Sequence, residues 1–443
     1  MLQTSIKNIS GGFGGVSKVS GSVVDIDISS IGISAPRLSE SESISFRTYI
    51  AAGALQSFGP MAVADSDGVA FRIVRTAGQP IVIDEANYTV IVDSYVSIRD
   101  LDSYLRAKGY SFPVMPGAED ASIGGCIAAD VHGKNGHKFG SFGDHVVGFS
   151  LFDPFSNTSR WVTVDDSDFC WTIGGFGVTG VILIASLKII QLPGHSLLLR
   201  SIKCNSLQSL IDIMIANADS ADDIGGWFSP WRDKILGKVF VANWSQTPPI
   251  ASSQMPAILS SFIFMILGLA LWRRFSSLFL SFYIYIRPEP KFPQIPTHVL
   301  FPLAGLVGWN KFFGKSFVER QFVVPLDQGV SAVETVLALL RHHRVHTPLC
   351  AVKIFKGSRV GPMSFANEGI SFSIQYETRY SVLDAELTAF LKLHSYPEYL
   401  AKVQQTSTGF PAGYRQYEQW FALASKNKVN SILINWLRNE SGC

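Results

Sequence analysis

The residues best suited to chemistry lie in a stretch of small side chains, residues 116–135, which reads PGAEDASIGGCIAADVHGKN. Gly117, Gly124 and Gly125 allow the backbone to approach a ligand without a Cβ in the way, and Ser122 can donate a hydroxyl hydrogen bond. A turn of N–H groups aimed at one point suits an anion such as a diphosphate. A run of small residues is also typical of tight packing, so the composition leaves both interpretations open. The stretch is neither a P-loop nor a Rossmann fingerprint.

Two further polar and glycine-rich motifs follow along the chain. One is Ser141-Phe142-Gly143-Asp144-His145, in which we expect His145 to be structural. The other, residues 174–180, reads GGFGVTG and precedes an apolar strand. The strands and helices predicted around these motifs must bring them together in space.

Hydrophobic periodicity predicts the elements of the first half. Short apolar runs between turn signals indicate strands over residues 20–96, the clearest at 88–96. Ser97 and Asp100 form a capping box, which predicts a helix over 98–108 with Gly109 just past its end. Further strands are predicted at 146–152, 161–164 and 181–190.

The second half alternates predicted strands and helices. Strands are expected at 317–324, 350–355 and 370–376. The patterns Ser331-x-x-Glu334 and Ser381-x-x-Asp384 predict helix starts, with the helices running to about 342 and 393. We divide the chain into a first lobe, a substrate or cap domain and a C-terminal return to the first lobe, residues 1–194, 195–396 and 397–443.

Composition restricts the class of protein. Charged residues make up 16% of 443 residues and aromatic residues 12%, which excludes a disordered chain. A net charge of +2 provides no basic field, so we expect no nucleic-acid partner. Five widely spaced cysteines predict neither a disulfide framework nor a zinc site, and no metal is expected. No apolar region follows Met1, so we expect no signal peptide and a cytoplasmic location.

Part of the apolar excess lies in residues 256–286. Residues 256–272 are uncharged, and Arg273-Arg274 and a second apolar run follow. About 20 apolar residues are needed to cross a bilayer, so this segment is borderline. A membrane span, a lid or surface helix that enters one leaflet, and a buried core segment all remain open.

Taken together, the motifs resemble a known family. The order P-G-x(6)-G-G-x-I-A-x-D-x-H-G-K-N, then G-S-F-G-x-H-V, then W-x-x-G-G-x-G-x-T-G is similar to the flavin-binding lobe of the FAD-linked, PCMH-type oxidases of the vanillyl-alcohol-oxidase family. The nearest branch is that of decaprenylphosphoryl-β-D-ribose 2'-oxidase. FVERQFVVP at 317–325, VKIF at 352–355 and YLAK at 399–402 also match this branch. The resemblance implies an α+β fold with two lobes: a PCMH-type FAD-binding fold and an α/β substrate domain with an antiparallel sheet.

The resemblance also implies FAD as the cofactor. The residues matching its cofactor contacts are Arg47, Tyr49, Gly117, Ser122, Ile123, Gly124, Gly125, Ala129, Asp130, Val131, His132, Gly133, Ile182 and Tyr399. The family's N-terminal R-S-Y-G-D loop falls on residues 47–51, RTYIA, which lack its Gly and Asp. No histidine precedes His132, so a histidyl link to flavin from that region is impossible and we expect non-covalent FAD.

The activity implied is oxidation of a sugar hydroxyl by hydride transfer to flavin, with a polyprenyl-phosphoryl pentose as substrate and a nicotinamide-dependent short-chain reductase completing an epimerisation to arabinose. His132 and Lys402 are the candidate catalytic groups, since His, or a desolvated Lys, can have a pKa near neutral. Lys134, Gln321 and Lys353 are the candidate substrate-binding residues. An apolar lid would then reach a substrate held in a membrane surface. An aldonolactone or alditol oxidase and a non-catalytic membrane-associated relative remain alternatives.

Overall fold

The computed structural model describes part of the chain, and every structural statement below refers to that part. The described residues are 2–9, 19–28, 46–57, 61–64, 68–75, 77–231, 234–250, 262, 263, 266, 273–300, 317–345, 347, 350–358, 360–377, 380–403, 413, 414 and 416–441.

The N-terminal region forms two main sheets. The first has the order β1-β2-β4-β3, in which β4 pairs in parallel with β2 and β3; its strands are β1 (Leu2–Ile9), β2 (Val19–Asp27), β3 (Thr48–Ala51) and β4 (Gly68–Val74). The second is antiparallel with the order β5-β6-β10-β8-β9, and its strands are β5 (Ile81–Asp84), β6 (Thr89–Asp93), β8 (Val146–Asp153), β9 (Thr158–Thr163) and β10 (Val181–Lys188). A short pair joins β7 (Tyr110–Ser111) to β11 (Ile190–Gln191). The helices here are α1 (Ile98–Ala107), α2 (Ile123–Ala128), α3 (Gly136–Phe139) and α4 (Ser167–Thr172).

A six-stranded sheet dominates the region that follows. Its order is β12-β14-β13-β16-β17-β15, and every pairing is antiparallel. The strands are β12 (Ser196–Cys204), β13 (Asp223–Trp231), β14 (Lys234–Ser245), β15 (Phe317–Val324), β16 (Cys350–Phe355) and β17 (Gly369–Glu377). The helices are α5 (Leu207–Ala218), α6 (Arg273–Ile286), α7 (Pro296–Leu300), α8 (Gly329–His342), α9 (Ser381–Leu393), α10 (Tyr417–Lys426) and α11 (Ile432–Ser441). This mixed architecture with an antiparallel sheet confirms the predicted fold class.

Helix α1 begins where the sequence predicts. The Asp100 N–H donates to Ser97 Oγ over 3.1 Å, and Ser97 Oγ donates to the Asp100 carboxylate over 2.7 Å. Gly109 has a φ of +82°, a conformation that favours glycine, and the chain turns there towards β7.

The two other predicted helix starts are wrong. Helix α8 begins at Gly329, two residues before Ser331, because a 3₁₀ turn at Leu326–Gln328 leads directly into it. Ser331 Oγ donates to the carbonyl of Gln328 instead of capping the helix. Ser381 is the first residue of α9, and Tyr380 occupies the N-cap position.

The last helices pack against the first sheet. The Tyr49 N–H donates to the Lys428 carbonyl over 3.0 Å, and the Asn430 N–H donates to the Tyr49 carbonyl over 2.8 Å. Trp420, from α10, is buried in the same hydrophobic cluster as Tyr49. Residues 416–441 therefore complete the core around β2, β3 and β4, while the three domain boundaries stay a prediction.

Helix α6 covers only the second part of the predicted apolar segment. Its 14 residues span about 21 Å, which is short of the ~30 Å hydrocarbon layer. Within the described ranges, no helix is both long enough and apolar enough to cross a membrane. The predicted span at 256–272 falls largely outside the described residues; of it, residues 262, 263 and 266 are described as helical.

Candidate active site

A polar face of the six-stranded sheet carries two of the predicted substrate-binding residues, Gln321 and Lys353. Alternate residues of a strand point to the same side, so Glu319 and Gln321 of β15 share this face. Antiparallel pairing sets Gln321 opposite Ser373, and Lys353 of β16 opposite Ser371. The other side of these strands is mostly apolar and buried, and includes Phe322, Phe372 and Ile374.

Gln321 joins this face to the glycine-rich stretch. Its Nε2 lies 2.9 Å from His132 Nε2 and 3.0 Å from Ser371 Oγ. Because an amide nitrogen only donates, His132 Nε2 is the acceptor and the ring proton lies on Nδ1. His132 Nδ1 is buried and has no hydrogen-bond partner among the described residues. The imidazole thus holds a buried N–H that a ligand oxygen or nitrogen can satisfy.

Aromatic rings enclose the imidazole. The ring centroids of Phe355, Tyr399 and Phe365 lie 4.8, 5.0 and 5.3 Å from that of His132. Burial, followed by the charges of Lys353 and Lys402, holds the pKa of His132 well below its usual value. His132 is therefore neutral at physiological pH.

Glu319 holds the predicted catalytic lysine. Lys402 Nζ lies 3.0 Å from Glu319 Oε1, and Lys402 itself sits in a 3₁₀ turn, Leu400–Lys402. The same carboxylate accepts from Ser373 Oγ over 2.5 Å and from Gln375 Nε2 over 2.9 Å. Burial alone would raise the pKa of Glu319, but the charge of Lys402 and these donors hold it below its usual value. A buried Glu–Lys ion pair therefore lies beside the His132–Gln321 pair.

Lys353 completes this group as a second half-buried lysine. Burial lowers its pKa to about 7, and the charges of Lys402 and Lys134 act in the same direction, opposed by Glu319. The structure thus brings together His132, Gln321, Lys353, Lys402 and Tyr399, all predicted from sequence.

The glycine-rich stretch forms a second part of the site, at the start of α2. Ser122 Oγ caps the helix by accepting from the Gly125 N–H over 3.4 Å, and it also accepts from the Ala54 N–H over 3.2 Å. A Cβ on Gly53 would clash with Ser122 Oγ, and one on Gly124 would lie 3.0 Å from the Cβ of Ser94. The loop after β3 and the start of α2 therefore approach each other as closely as glycine permits.

Space remains open beside this junction. A Cβ on Gly117 would meet no atom within 4 Å, and one on Gly125 would meet only Ser122 Oγ, at 3.1 Å. Backbone without side chains beside open space would hold the diphosphate of a flavin dinucleotide, and the buried His132 Nδ1–H would donate to its ring system. The residues present therefore fit FAD.

The GGFGVTG motif, residues 174–180, supports the C-terminal end of α2 through backbone hydrogen bonds. The Gly174 N–H donates to the carbonyl of Ile127 over 3.0 Å, and the Phe176 N–H donates to that of Ala128 over 2.8 Å. Gly174 and Gly177 have φ values of +73° and +84°, which require glycine or strain. Its role in this structure is to support the helix rather than to line open space.

Several predicted site residues lie elsewhere. Lys134 Nζ donates to the carbonyls of Val299 and Leu300, over 2.5 and 3.3 Å, and so anchors α7. Tyr49 is buried in an aromatic cluster with Phe46 and Phe71, and Arg47 is exposed at the start of β3. Their assignment to substrate or cofactor stays a prediction.

The remaining predicted cofactor residues shape the loop that carries His132. Asp130 has a φ of +41°, and its Oδ1 accepts from the Gly143 N–H over 2.8 Å. A Cβ on Gly133 would lie 2.7 Å from the Met115 carbonyl, so this position requires glycine. Ile123 and Ile182 are buried in a hydrophobic cluster, and Ala129 and Val131 are partly buried.

Sequence reasoning missed Glu319 and Gly53. Glu319 is two residues from Gln321 on a predicted strand, so period-two alternation would have placed it on the same face. Gly53 follows residues 47–51, the loop that lacks the glycine typical of the resembled family. Its contact with Ser122 joins two distant parts of the chain, so no local sequence pattern reveals it.

The fold and the site together define a class of enzyme. A family model described as "FAD binding domain" matches residues 46–159, which include Gly53, the capped start of α2 and His132. The chain is an FAD-dependent oxidoreductase that acts on CH–OH groups, and its cofactor is FAD; it resembles the FAD-linked, PCMH-type oxidases.

Individual relatives refine this picture. The chain is 26% identical over 374 residues to decaprenylphosphoryl-beta-D-ribose oxidase from Mycolicibacterium smegmatis, which covers 77% of this chain and 78% of the relative. It is 35% identical over 117 residues to L-gulonolactone oxidase 3 from Arabidopsis thaliana, but this match covers only 25% of this chain and 20% of the relative. Among solved structures, a solvent-stable cholesterol oxidase has the same fold, with a TM-score of 0.66, 12% identity and 98% coverage of both chains.

Proposed function

We propose that this protein oxidises a hydroxyl group of a polyprenyl-phosphoryl pentose to a ketone. The observation that carries the proposal is the pair of half-buried lysines, Lys353 and Lys402, beside the amide of Gln321 and the imidazole of His132. Ammonium groups suit the phosphodiester, and the amide and imidazole suit sugar hydroxyls. Bound FAD accepts the hydride from the carbinol carbon. The name of the Mycolicibacterium relative supports a decaprenylphosphoryl ribose as substrate.

The chain's own residues provide orientation and exclude water. The rings of Phe355, Phe365 and Tyr399 surround the imidazole, so its Nδ1–H acts in a dry environment where hydrogen bonds to charge are strong. Gly117 leaves space for the diphosphate of a cofactor that is held without a covalent bond.

An exposed apolar stripe supports a substrate with a lipid tail. Phe279, Phe282, Tyr283 and Ile286 lie on one face of α6 with helical spacing and are 46–64% exposed. The opposite side is held down, because Ser281 Oγ donates to Ser229 Oγ over 2.9 Å and Lys238 Nζ donates to the Arg287 carbonyl over 2.5 Å. We propose that this stripe enters one leaflet of a membrane on the cytoplasmic side, so that the protein reaches a headgroup whose polyprenyl tail stays in lipid.

The product implies a partner reaction. A ketone on the pentose ring can be reduced from the opposite face, which inverts the carbinol and converts a ribose into an arabinose. We propose a nicotinamide-dependent short-chain reductase as the enzyme that consumes the ketone.

A second candidate is an aldonolactone or alditol oxidase. The segment similar to L-gulonolactone oxidase 3 favours it, and so does Glu319, because a carboxylate suits a neutral sugar rich in hydroxyls better than a phosphodiester.

The deciding experiment is the visible spectrum of the purified protein under anaerobic conditions. Addition of a polyprenyl-phosphoryl ribose should bleach the flavin absorption, whereas gulonolactone and free alditols should not. Bleaching by the free sugars alone would favour the second candidate. A colourless protein that does not take up added FAD would contradict both and indicate a non-catalytic relative.

A further inference from the structure

We propose that Lys353, rather than His132 or Lys402, takes the proton of the substrate hydroxyl. The inference rests on the proposed oxidation of an alcohol, and it adds which group acts as the base. It does not depend on which sugar or lipid the alcohol belongs to.

His132 cannot act as the base in this arrangement. Its Nε2 lone pair accepts from Gln321 Nε2, which lies 2.9 Å away, and its Nδ1 already carries a proton. The ring therefore presents only a donor, His132 Nδ1–H, which can polarise an oxygen but has no lone pair to offer.

Lys402 is held in an ion pair with Glu319. Its Nζ lies 3.0 Å from Glu319 Oε1, and this carboxylate is kept ionised by donors from Ser373 and Gln375 as well. Transfer of a proton out of this buried pair would leave the Glu319 carboxylate without its cation, which is costly in a buried site. An ammonium group has no lone pair, so Lys402 orients the substrate instead of deprotonating it.

Lys353 is the amine that remains. Its Nζ forms no hydrogen bond or ion pair with any residue that the structure describes. The charged and titratable groups that act on it are Lys402, Lys134, Glu319 and His132; two cations outweigh one carboxylate, and the imidazole is neutral. Burial and these cations give Lys353 a pKa of about 7, so a large fraction is neutral at physiological pH and can accept a proton.

The step balances with FAD as the oxidant. The carbinol C–H bond breaks and its electron pair leaves as hydride to FAD, while the O–H bond breaks and its electrons form the C=O bond. The proton goes to Lys353 Nζ, which changes from a neutral amine to an ammonium ion. The nearby Glu319 carboxylate acts favourably on the ammonium charge that forms on Lys353.

The first test measures Lys353 directly and needs no substrate. Purified holoprotein is treated briefly with acetic anhydride over a range of pH, and peptide mass spectrometry gives the acetylation rate of each lysine. Lys353 should show a midpoint near pH 7, well below the ~10.4 of a free lysine, and exposed Lys356, three residues further on, is the reference in the same digests. In Lys402→Met the Lys353 midpoint should rise, since one of the two cations is gone. An identical midpoint for both lysines in the wild type would overturn the proposal.

The second test separates charge from basicity. Lys353→Arg keeps a cation but cannot accept a proton. Substrate affinity should change by less than about threefold, while the rate of flavin bleaching by the substrate should fall by about 10²–10⁴-fold. In Lys353→Ala, added small amines should restore part of the rate, and more basic amines should restore more. Wild-type rates in Lys353→Arg would overturn the inference.

The outcomes distinguish this inference from the proposed function. A wild type that is bleached by a polyprenyl-phosphoryl ribose, together with a fully active Lys353→Arg, refutes only the role of Lys353. A wild type that is bleached only by free sugars refutes the proposed substrate, and the same variants then test Lys353 with that alcohol.

Discussion

Gln321 Nε2 and His132 Nε2 lie 2.9 Å apart, although the two residues are 189 positions apart in the chain. This hydrogen bond connects the glycine-rich stretch to β15 of the six-stranded sheet. It also sets which ring nitrogen carries the proton, because the amide nitrogen can only donate. The chemistry of the imidazole is therefore decided by a residue of another sheet.

Removing the Gln321 amide should change the tautomer of the His132 imidazole. In Gln321→Leu, His132 Nε2 loses its donor, and we expect the Nδ1–H tautomer to lose its dominance in ¹⁵N-histidine NMR spectra. The buried, unpaired nitrogen should lower the free energy of unfolding by about 1–3 kcal/mol in urea denaturation. Gln191→Leu, at an exposed amide, is the control and should have little effect. An unchanged tautomer in Gln321→Leu would contradict this role.

Arg320 is predicted to be essential for stability. It is 1% exposed, and its guanidinium pairs with the buried carboxylates of Glu398 and Asp384. Arg320→Met leaves both carboxylates without their cation, so we expect a loss of about 3–5 kcal/mol in unfolding free energy. Arg160→Met, which removes exposed pairs with Asp166 and Asp168, should cost at most about 1 kcal/mol. Equal losses in the two variants would refute the distinction.

The strands and α1 could be predicted because their signals are local. Short apolar runs between turn signals located β8, β10, β15, β16 and β17, and the serine at 97 located the start of α1. The same capping pattern failed at Ser331 and Ser381. A 3₁₀ turn before α8 already had helical backbone, and the chain entered α9 through Tyr380. A capping pattern records only the spacing of residue types. It does not show the backbone conformation of the residues that precede the helix.

Gly117→Ala should separate cofactor binding from folding. An added Cβ meets no atom within 4 Å, so the unfolding free energy of the apoprotein should stay within about 0.5 kcal/mol of wild type. The methyl group would occupy the space assigned to the FAD diphosphate, and the Kd for FAD, from fluorescence titration, should rise at least tenfold. Gly225→Ala, which adds a Cβ with ordinary contacts at 3.8 Å, is the matched control and should keep its FAD affinity. Equal Kd values in all three proteins would argue against the diphosphate position.

The apolar stripe on α6 should govern membrane binding. The triple variant Phe279→Ser, Phe282→Ser and Ile286→Ser should lose sedimentation with vesicles of phosphatidylcholine and phosphatidylglycerol. As a control for exposed apolar area, Val164, Val382 and Leu393, which are 60–80% exposed elsewhere, are replaced by Ser together. That control should sediment like wild type. Equal binding of both triple variants would contradict a role for α6.

Asp130 should make stability depend on pH. Burial raises its pKa to about 6, so between about pH 4 and pH 6 the folded protein keeps a proton that the unfolded chain releases. Its contribution is therefore greatest below pH 4 and is lost as pH rises through 6, by about 3 kcal/mol. In Asp130→Asn, which tolerates the φ of +41°, this fall should be absent from denaturation curves measured across that range. Parallel pH profiles for the two proteins would refute the assignment.

The site was only partly visible in the sequence, for a physical reason. Histidine, glycine and lysine positions followed from motifs, but what each group can do depends on partners far away in the chain. Lys134 is predicted as a substrate ligand from its motif, and the sequence does not show that its Nζ donates to the carbonyls of Val299 and Leu300. Lys402 looked like a base and lies in an ion pair with Glu319. Residue type gave the candidates, and tertiary contacts assign their protonation states.

The bond from Trp420 Nε1 to the Gly175 carbonyl has a consequence for biosynthesis. The loop that supports α2 and the core around Tyr49 are both completed by residues 416–441, which leave the ribosome after all the strands. The first sheet can form early, but its core stays open until these helices arrive. A nascent chain that stops before residue 416 would therefore lack both the Trp420 bond to the loop under α2 and the helices that close the core around Tyr49.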